Sequence, residues 1–229
     1  MYFAGLVIMI VSMPLSKYMM SVSQFVLAGV LILKYMSQDR LVNFISRYPC
    51  YISIFLIIPL FLWWFLRSLG MIMKDFLRKE NIPAIVFSSL FIMHIIGLIF
   101  TIDFEYALKD LRIKLPILVL PILLSVGEKL DRKKVNILML FFVATVIIST
   151  FITTSILFTR EVDNVRDISI FISHIRFSLL ISIAIFTLVY MALTKEIQGK
   201  YFQLGFIFFA AWLVFYLIIS TSMTGLIVL

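Results

Sequence analysis

This sequence contains very few of the residues that build a water-facing surface or a covalent framework. Of its 229 residues, only 14% are charged, whereas 63% are hydrophobic. A soluble domain is typically about a quarter charged and about half apolar, so a soluble enzyme is excluded. The same apolar content excludes an intrinsically disordered chain. Cys50 is the only cysteine, so an internal disulfide cannot form.

The motifs of metal and nucleotide chemistry are also missing. The chain has two histidines, no HExxH motif, no Walker loop and no GxGxxG in a usable context, so we expect no metal and no cofactor. The formal net charge of +8 would suggest nucleic acid in a soluble protein. Here the basic residues lie between long apolar runs, which is typical of topology signals. We therefore expect no nucleic-acid partner.

Long apolar runs dominate the sequence. A helix that crosses a bilayer needs about 20 mainly apolar residues, and eight stretches approach or reach that length. They are 2–16, 19–36, 51–73, 83–102, 115–126, 135–158, 168–194 and 201–222. The first and fifth are short, so we expect them to be tilted, re-entrant or extended by neighbouring residues. The pattern predicts an all-α, polytopic transmembrane bundle of about eight helices, in a single domain over residues 1–229.

The last residues, 225–229, begin another apolar run without a polar tail. We interpret this run as the start of a ninth helix, and the chain as the N-terminal part of a longer protein. The alternative is a helix that ends there.

The connections between the predicted spans alternate between the two sides of the membrane. Those on one side contain eleven lysine and arginine residues, and those on the other side contain nine. The larger set includes the compact clusters within 74–79 and 129–134, which are typical of cytoplasmic anchors. This assignment places the N-terminus outside, together with the connections around 101–114, 160–176 and 220–225.

The first of these outer segments, 101–114, is predicted to form an amphipathic helix. Its apolar residues recur at helical spacing on one stripe, which consists of Phe104, Leu108, Leu111 and Leu115. Asp103 can cap the helix start, and Asp110 can pair with Lys114 at i+4. Such a helix lies in the headgroup region, where Arg112 and Lys114 would present cations to an anionic headgroup or a pyrophosphate. The alternative is a solvated connector with ordinary ion pairs.

In the second outer segment, Arg176 lies inside an otherwise apolar run, where a cation is costly in hydrocarbon. Such an arginine faces a bundle interior or a wet cavity, or its side chain snorkels to the headgroups. On a regular helix Ser169 and Ser173 share its face, whereas His174 lies about 200° away. His174 is the one candidate base, and the alternative for it is a packing residue. His94, on an apolar helix, is expected to be hydrogen-bonded within the bundle.

Several of these stretches resemble the O-antigen ligase family, in particular members from Bacteroidetes-like bacteria. They are SMPLSK at 12–17, HIIGLIFTIDFEYALKDLRIKLP at 94–116 and DISIFISHIRFSL at 167–179. The small polar break STSMTG at 220–225 is similar to the family's Ser-Arg-Gly-type segment, with Met223 or Thr224 where many members have arginine. By itself this break is either a plain turn or part of an anion site.

The resemblance implies a GT-C-like membrane glycosyltransferase of lipopolysaccharide biosynthesis in the cell envelope. Such an enzyme moves a glycan from undecaprenyl pyrophosphate to a lipid A–core acceptor, at the periplasmic face of the bacterial inner membrane. Arg176, Arg112, Lys114 and Ser173 would then bind the donor. The family's own base is a histidine in a large loop of its second half. We therefore expect this chain alone to bind the donor lipid without catalysing transfer.

Several alternatives stay open. A polymerase that joins repeat units of the same lipid-linked glycan is not distinguished from a ligase. A lipid-linked glycan flippase or transporter would show inverted repeats and broken helices. A non-catalytic membrane protein is a third possibility. The family usually has its N-terminus in the cytoplasm, whereas the charge count places it outside, so the absolute orientation is left open.

Overall fold

The computed structural model is built from α-helices joined by short connections. It describes residues 1–37, 50–159, 172–194, 199–220 and 223–229, and these ranges contain no strand. Their α-helices are α1 (Tyr2–Leu15), α2 (Lys17–Ser37), α3 (Cys50–Phe76), α4 (Ile82–Gly97), α5 (Phe104–Lys114), α6 (Pro116–Val126), α7 (Arg132–Thr159), α8 (His174–Thr194), α9 (Lys200–Ile219) and α10 (Met223–Val228). The all-α prediction is confirmed for this part of the chain.

Five described helical segments are long and apolar enough to cross a membrane. They are Tyr18–Met36, Lys79–Phe100, Arg132–Ile156, His174–Thr194 and Tyr201–Ile219. Each coincides with a predicted span, and together they fit a multi-pass membrane protein. The predicted span at 51–73 lies within α3, which is 27 residues long.

The two stretches expected to be short form short helices. At 1.5 Å per residue, the 14 residues of α1 and the 11 residues of α6 extend about 21 and 17 Å, against a hydrocarbon core of about 30 Å. Helix α6 starts anew at Pro116 because proline has no N–H to bond the carbonyl of Arg112. The break therefore separates α5 from α6.

Helix α8 starts later than the predicted span 168–194. It begins at His174, with Ile172 and Ser173 before it, and residues 168–171 lie outside the described residues. Arg176 therefore lies in the first turn of α8, and not in the interior of the helix as the predicted span implied. Ser173 precedes the helix, so it does not form the predicted helical stripe with Arg176. Ser169, the third member of that stripe, is outside the described residues.

The described chain divides into two compact units, and the first comprises Met1–Gly5 and Gln24–Lys129. Helix α4 packs against α6 and α5. The buried apolar side chains of the first unit include the cluster of Tyr35, Ile72, Phe76 and Val126, and also Leu27 and Leu31. Two tyrosines add hydrogen bonds across long stretches of chain. Tyr2 Oη donates to the carbonyl of Leu123 at 2.9 Å, and Tyr35 Oη donates to the Asp75 carboxylate at 2.5 Å.

The second unit comprises Leu6–Ser23 and Leu130–Leu229. Helix α8 packs against α7, α9 and α10. A core cluster of the second unit contains several side chains that are almost completely buried, among them Val146, Ile181, Leu188, Leu213 and Leu217.

Buried hydroxyl groups join α7 to α9 within the second unit. Thr150 Oγ1 and Thr153 Oγ1 donate their hydrogens to carbonyls of their own helix, so each oxygen can accept from another helix. Trp212 Nε1 donates to Thr150 at 3.1 Å, and Tyr216 Oη lies 2.9 Å from Thr153 Oγ1. Because the threonine hydrogen is already committed, Tyr216 is the donor. Hydrogen bonds of this kind contribute to helix association in lipid.

Candidate functional site

Helix α5 has the start and the internal pair that the sequence predicted. The Asp103 side chain accepts a hydrogen bond from the backbone N–H of Tyr106 at 3.0 Å, which satisfies one of the free donors of the first turn. Lys114 Nζ lies 2.7 Å from Asp110 Oδ2, at i+4. The prediction of a capped helix at 101–114 is confirmed.

Most of the apolar stripe of α5 is exposed. Phe104, Leu108 and Leu115 are 59%, 57% and 42% exposed, whereas the fourth member, Leu111, is half-buried together with Ala107 and Asp110. An exposed apolar stripe on a helix with charged neighbours is typical of a helix in the headgroup region of a membrane. Phe104, Leu108 and Leu115 would then contact lipid, and Leu111 contributes to the contact with the rest of the first unit.

The two predicted cations of α5 are in different situations. The Lys114 ammonium is partly buried and is neutralised by Asp110. The Arg112 side chain is exposed, so its planar guanidinium is accessible to a ligand with several oxygens. Arg112 is therefore the better candidate for an anion contact in this helix.

A cavity of about 320 Å³ lies between the end of α4 and α5. Its polar lining residues are His94, Thr101 and Asp110. His94 Nδ1 lies 2.7 Å from the carbonyl of Leu90. A carbonyl only accepts, so Nδ1 carries the hydrogen, and in the neutral ring Nε2 is then the proton acceptor. His94 is thus hydrogen-bonded to a carbonyl of its own helix, so a bond to another helix of the bundle stays a prediction, and its ring lines this cavity.

The start of α8 meets the segment after α9 in the second unit. His174 Nε2 lies 3.0 Å from the carbonyl of Ser220, so Nε2 donates and Nδ1 is the acceptor of the neutral ring. Ser182 Oγ donates to the carbonyl of Gly225 at 3.1 Å. A Cβ at Gly225 would lie 3.0 Å from Ser178 Cβ, so only glycine allows this approach of α10 to α8 without a shift of neighbouring atoms.

The predicted donor-binding residues thus divide between the two units. Arg112 and Lys114 belong to the first unit, whereas Ser173, His174 and Arg176 belong to the second. Within the second unit, Ser173 and Arg176 are exposed and His174 is half-buried. Two predicted polar segments, those around His174 and Ser220, are in contact. Residues 160–171 and 221–222, which belong to the same predicted segments, lie outside the described residues.

Sequence reasoning did not single out the cavity beside His94. The signal was available, because residues 98–103 separate two helical patterns and bring the end of α4 next to α5. It also missed the buried hydroxyls of α7, since threonine in an apolar helix is not unusual. The described residues contain no group of three or more His, Cys, Asp or Glu side chains arranged to hold a metal ion.

Comparisons with models of known protein families, with curated proteins and with solved structures found no match to this chain.

Proposed function

We propose that this chain forms the donor-binding part of an O-antigen-ligase-like membrane glycosyltransferase. Its donor would be a glycan on undecaprenyl pyrophosphate and its acceptor lipid A–core, at the periplasmic face of the bacterial inner membrane. The proposal is supported by the motif resemblance at 94–116 and 167–179. The observation that carries it furthest is the first unit's combination of an exposed Arg112 on α5, an outward apolar stripe and a polar cavity lined by His94.

The exposed arginine suits a diphosphate leaving group. When the bond between the sugar carbon and the phosphate oxygen breaks, the electron pair stays on the pyrophosphate and its negative charge grows. A fixed guanidinium stabilises that charge without transferring a proton, and its fork can hold two phosphate oxygens. The apolar stripe of α5 keeps this cation at the depth of a lipid headgroup.

The acceptor hydroxyl needs a base as it attacks the sugar carbon. His94 and His174 each have one ring nitrogen bonded to a carbonyl, which leaves the other nitrogen as the proton acceptor. His94 is the base candidate of the first unit because it lines the cavity next to α5. His174 is the candidate of the second unit, where Arg176 lies two residues further on at the start of α8.

A binding experiment tests the donor assignment directly. The purified chain should bind undecaprenyl pyrophosphate more tightly than undecaprenol, which has the same tail and no phosphate, as measured by native mass spectrometry. The preference should weaken as salt rises, because contacts between exposed charges are screened. Arg112→Gln should reduce the preference, whereas Lys109→Gln, which removes an exposed charge from the same helix, should retain most of it. Equal binding of the two lipids would contradict the proposal.

A reconstituted assay separates the reaction classes. Proteoliposomes would receive a glycan on undecaprenyl pyrophosphate, together with either lipid A–core or a second lipid-linked glycan. We expect no glycosylated product from this chain alone. Glycosylated lipid A–core would identify a ligase and a lengthened lipid-linked glycan a polymerase, and either product would overturn the expectation of donor binding without transfer. Movement of the intact donor across the bilayer without a new bond would identify a flippase and contradict a glycosyltransferase.

A further inference from the structure

A groove of about 620 Å³ lies between α7 and α8 in the second unit. Residues at i, i+4 and i+7 of α7, namely Arg132, Asn136 and Met139, form one wall, and Ile183, Phe186 and Tyr190 of α8 contribute to the other. The volume is in the range of small-molecule binding sites, about 300–1,000 Å³. The groove is thus a ligand-sized space on the side of two helices that can span a membrane.

The groove has one polar end and one apolar end. Consecutive spanning helices cross a bilayer in opposite directions, so the start of α7 lies beside the end of α8. Arg132 and Tyr190 are therefore at the same end, whereas Met139 and Ile183 are at the other. An amphiphile with an anionic head and an apolar chain matches this gradient.

Charge favours an anionic head. The Arg132 side chain is exposed at the polar end, and the exposed Lys133 and Lys134 follow it in the chain. The carboxylates nearby in sequence, Glu128 and Asp131, are fewer than the cations. Basic pockets between transmembrane helices bind acidic lipid headgroups, and a guanidinium can hold two oxygens of a phosphate.

We propose that this groove binds an anionic phospholipid, with its phosphate at Arg132 and an acyl chain against Met139, Ile183 and Phe186. This site is separate from the proposed donor site. Along α8, the 16 residues between His174 and Tyr190 correspond to about 24 Å, so the groove opens at the end of α8 opposite to the His174–Ser220 contact. A donor held at His174 and Arg176 would then lie in the opposite leaflet from the phospholipid.

The charge argument is tested with the full chain in detergent, titrated with phosphatidylglycerol or phosphatidylcholine and analysed by native mass spectrometry. The chain should prefer phosphatidylglycerol. Arg132→Gln should weaken phosphatidylglycerol binding about fivefold, with phosphatidylcholine binding unchanged. Lys134→Gln removes the same charge two residues away, from a side chain that does not line the groove, and should have a smaller effect. Equal effects of the two variants, or equal binding of the two lipids, would overturn the proposal.

The shape of the groove is tested separately, so that a folding defect cannot be mistaken for a lost contact. Ile183→Trp should fill the apolar end and reduce retained phosphatidylglycerol. Val189→Trp places the same bulk at another exposed position of α8 that does not line the groove, and should retain the lipid. Both variants should elute as the wild-type species in size-exclusion chromatography. Retention of phosphatidylglycerol by a well-behaved Ile183→Trp variant would refute binding in the groove.

Discussion

The helical segment Lys79–Phe100, which contains α4, and helix α8 are both long and apolar enough to cross a membrane, yet they differ in what surrounds them. In the first unit, only 11% of the apolar window of Lys79–Phe100 is buried, whereas 44% of the window of His174–Thr194 is buried in the second. Lipid tails are as apolar as leucine, so apolar surface alone does not drive helices together in a bilayer. The difference in buried fraction therefore indicates that protein packing fixes His174–Thr194, whereas Lys79–Phe100 is mainly in contact with lipid.

The two units also use polar contacts differently. In the second unit, Thr150 and Thr153 connect α7 to α9 through hydroxyls buried among apolar side chains. In the first unit, Arg112 and Glu105 of α5 are exposed at the surface. We infer that hydroxyl contacts help to fix α7 against α9 in the second unit, whereas α5 of the first unit presents charged residues at the surface.

Truncating one leucine of a spanning segment in each unit should break the comparison most severely. Leu217 is completely buried, whereas Leu90 on α4 is 50% exposed. Leu217→Ala should lower the free energy of unfolding by about 2–5 kcal/mol, because it leaves a cavity. Leu90→Ala should change it by about 0.5 kcal/mol or less, because lipid replaces the lost methyl groups. Unfolding in mixed micelles measures both values, and equal losses would contradict the difference in packing.

Substitution of Gly127 tests whether side chains in the first unit are closely packed at this position. A Cβ there would clash with Tyr2 Oη, so Gly127→Ala should displace the ring and break its bond to Leu123. Overpacking of this kind costs about 1–3 kcal/mol. Gly70→Ala, where nothing lies within 4 Å of the added atom, should be neutral or slightly stabilising. If Tyr2→Ala does not relieve the effect of Gly127→Ala, the clash is not its cause.

The helix cap of α5 should contribute about as much as caps do in soluble proteins. Asp103→Ala should destabilise the start of α5 by about 1 kcal/mol, which is seen as faster hydrogen exchange at Glu105 and Tyr106. Asp103→Asn should behave like wild type, because asparagine also accepts the bond from the Tyr106 N–H. Unchanged exchange in the alanine variant would show that the membrane surface or tertiary packing holds this turn without the cap.

How well each feature could be predicted depended on how far apart in the sequence the residues that determine it are. The cap at Asp103 and the Asp110–Lys114 pair are local to one helix, so spacing alone predicted them correctly. The predicted start of α8 was wrong, because the apolar run continues through residues 168–173 and does not indicate where the helix begins. The contact between His174 and Ser220 joins positions 46 residues apart, and the cavity beside His94 depends on how α4 packs against α5. Such features follow from tertiary packing, which periodicity does not encode.

The smallest expected effect is the loss of stability when the hydrogen bond between Thr153 and Tyr216 is removed. This experiment tests the inference that buried hydroxyls hold the second unit together. In membrane proteins such bonds contribute about 0.6 kcal/mol on average, with a maximum of about 1.7 kcal/mol. Thr153→Val and Tyr216→Phe each remove one partner, so a double-mutant cycle isolates their coupling. Thr154→Val is the matched control, because Thr154 Oγ1 donates only within its own helix, to the carbonyl of Thr150. Coupling near zero in the Thr153 cycle would mean that apolar packing around Val146 and Leu213 holds α7 against α9. The hydroxyl groups would then contribute nothing measurable to stability.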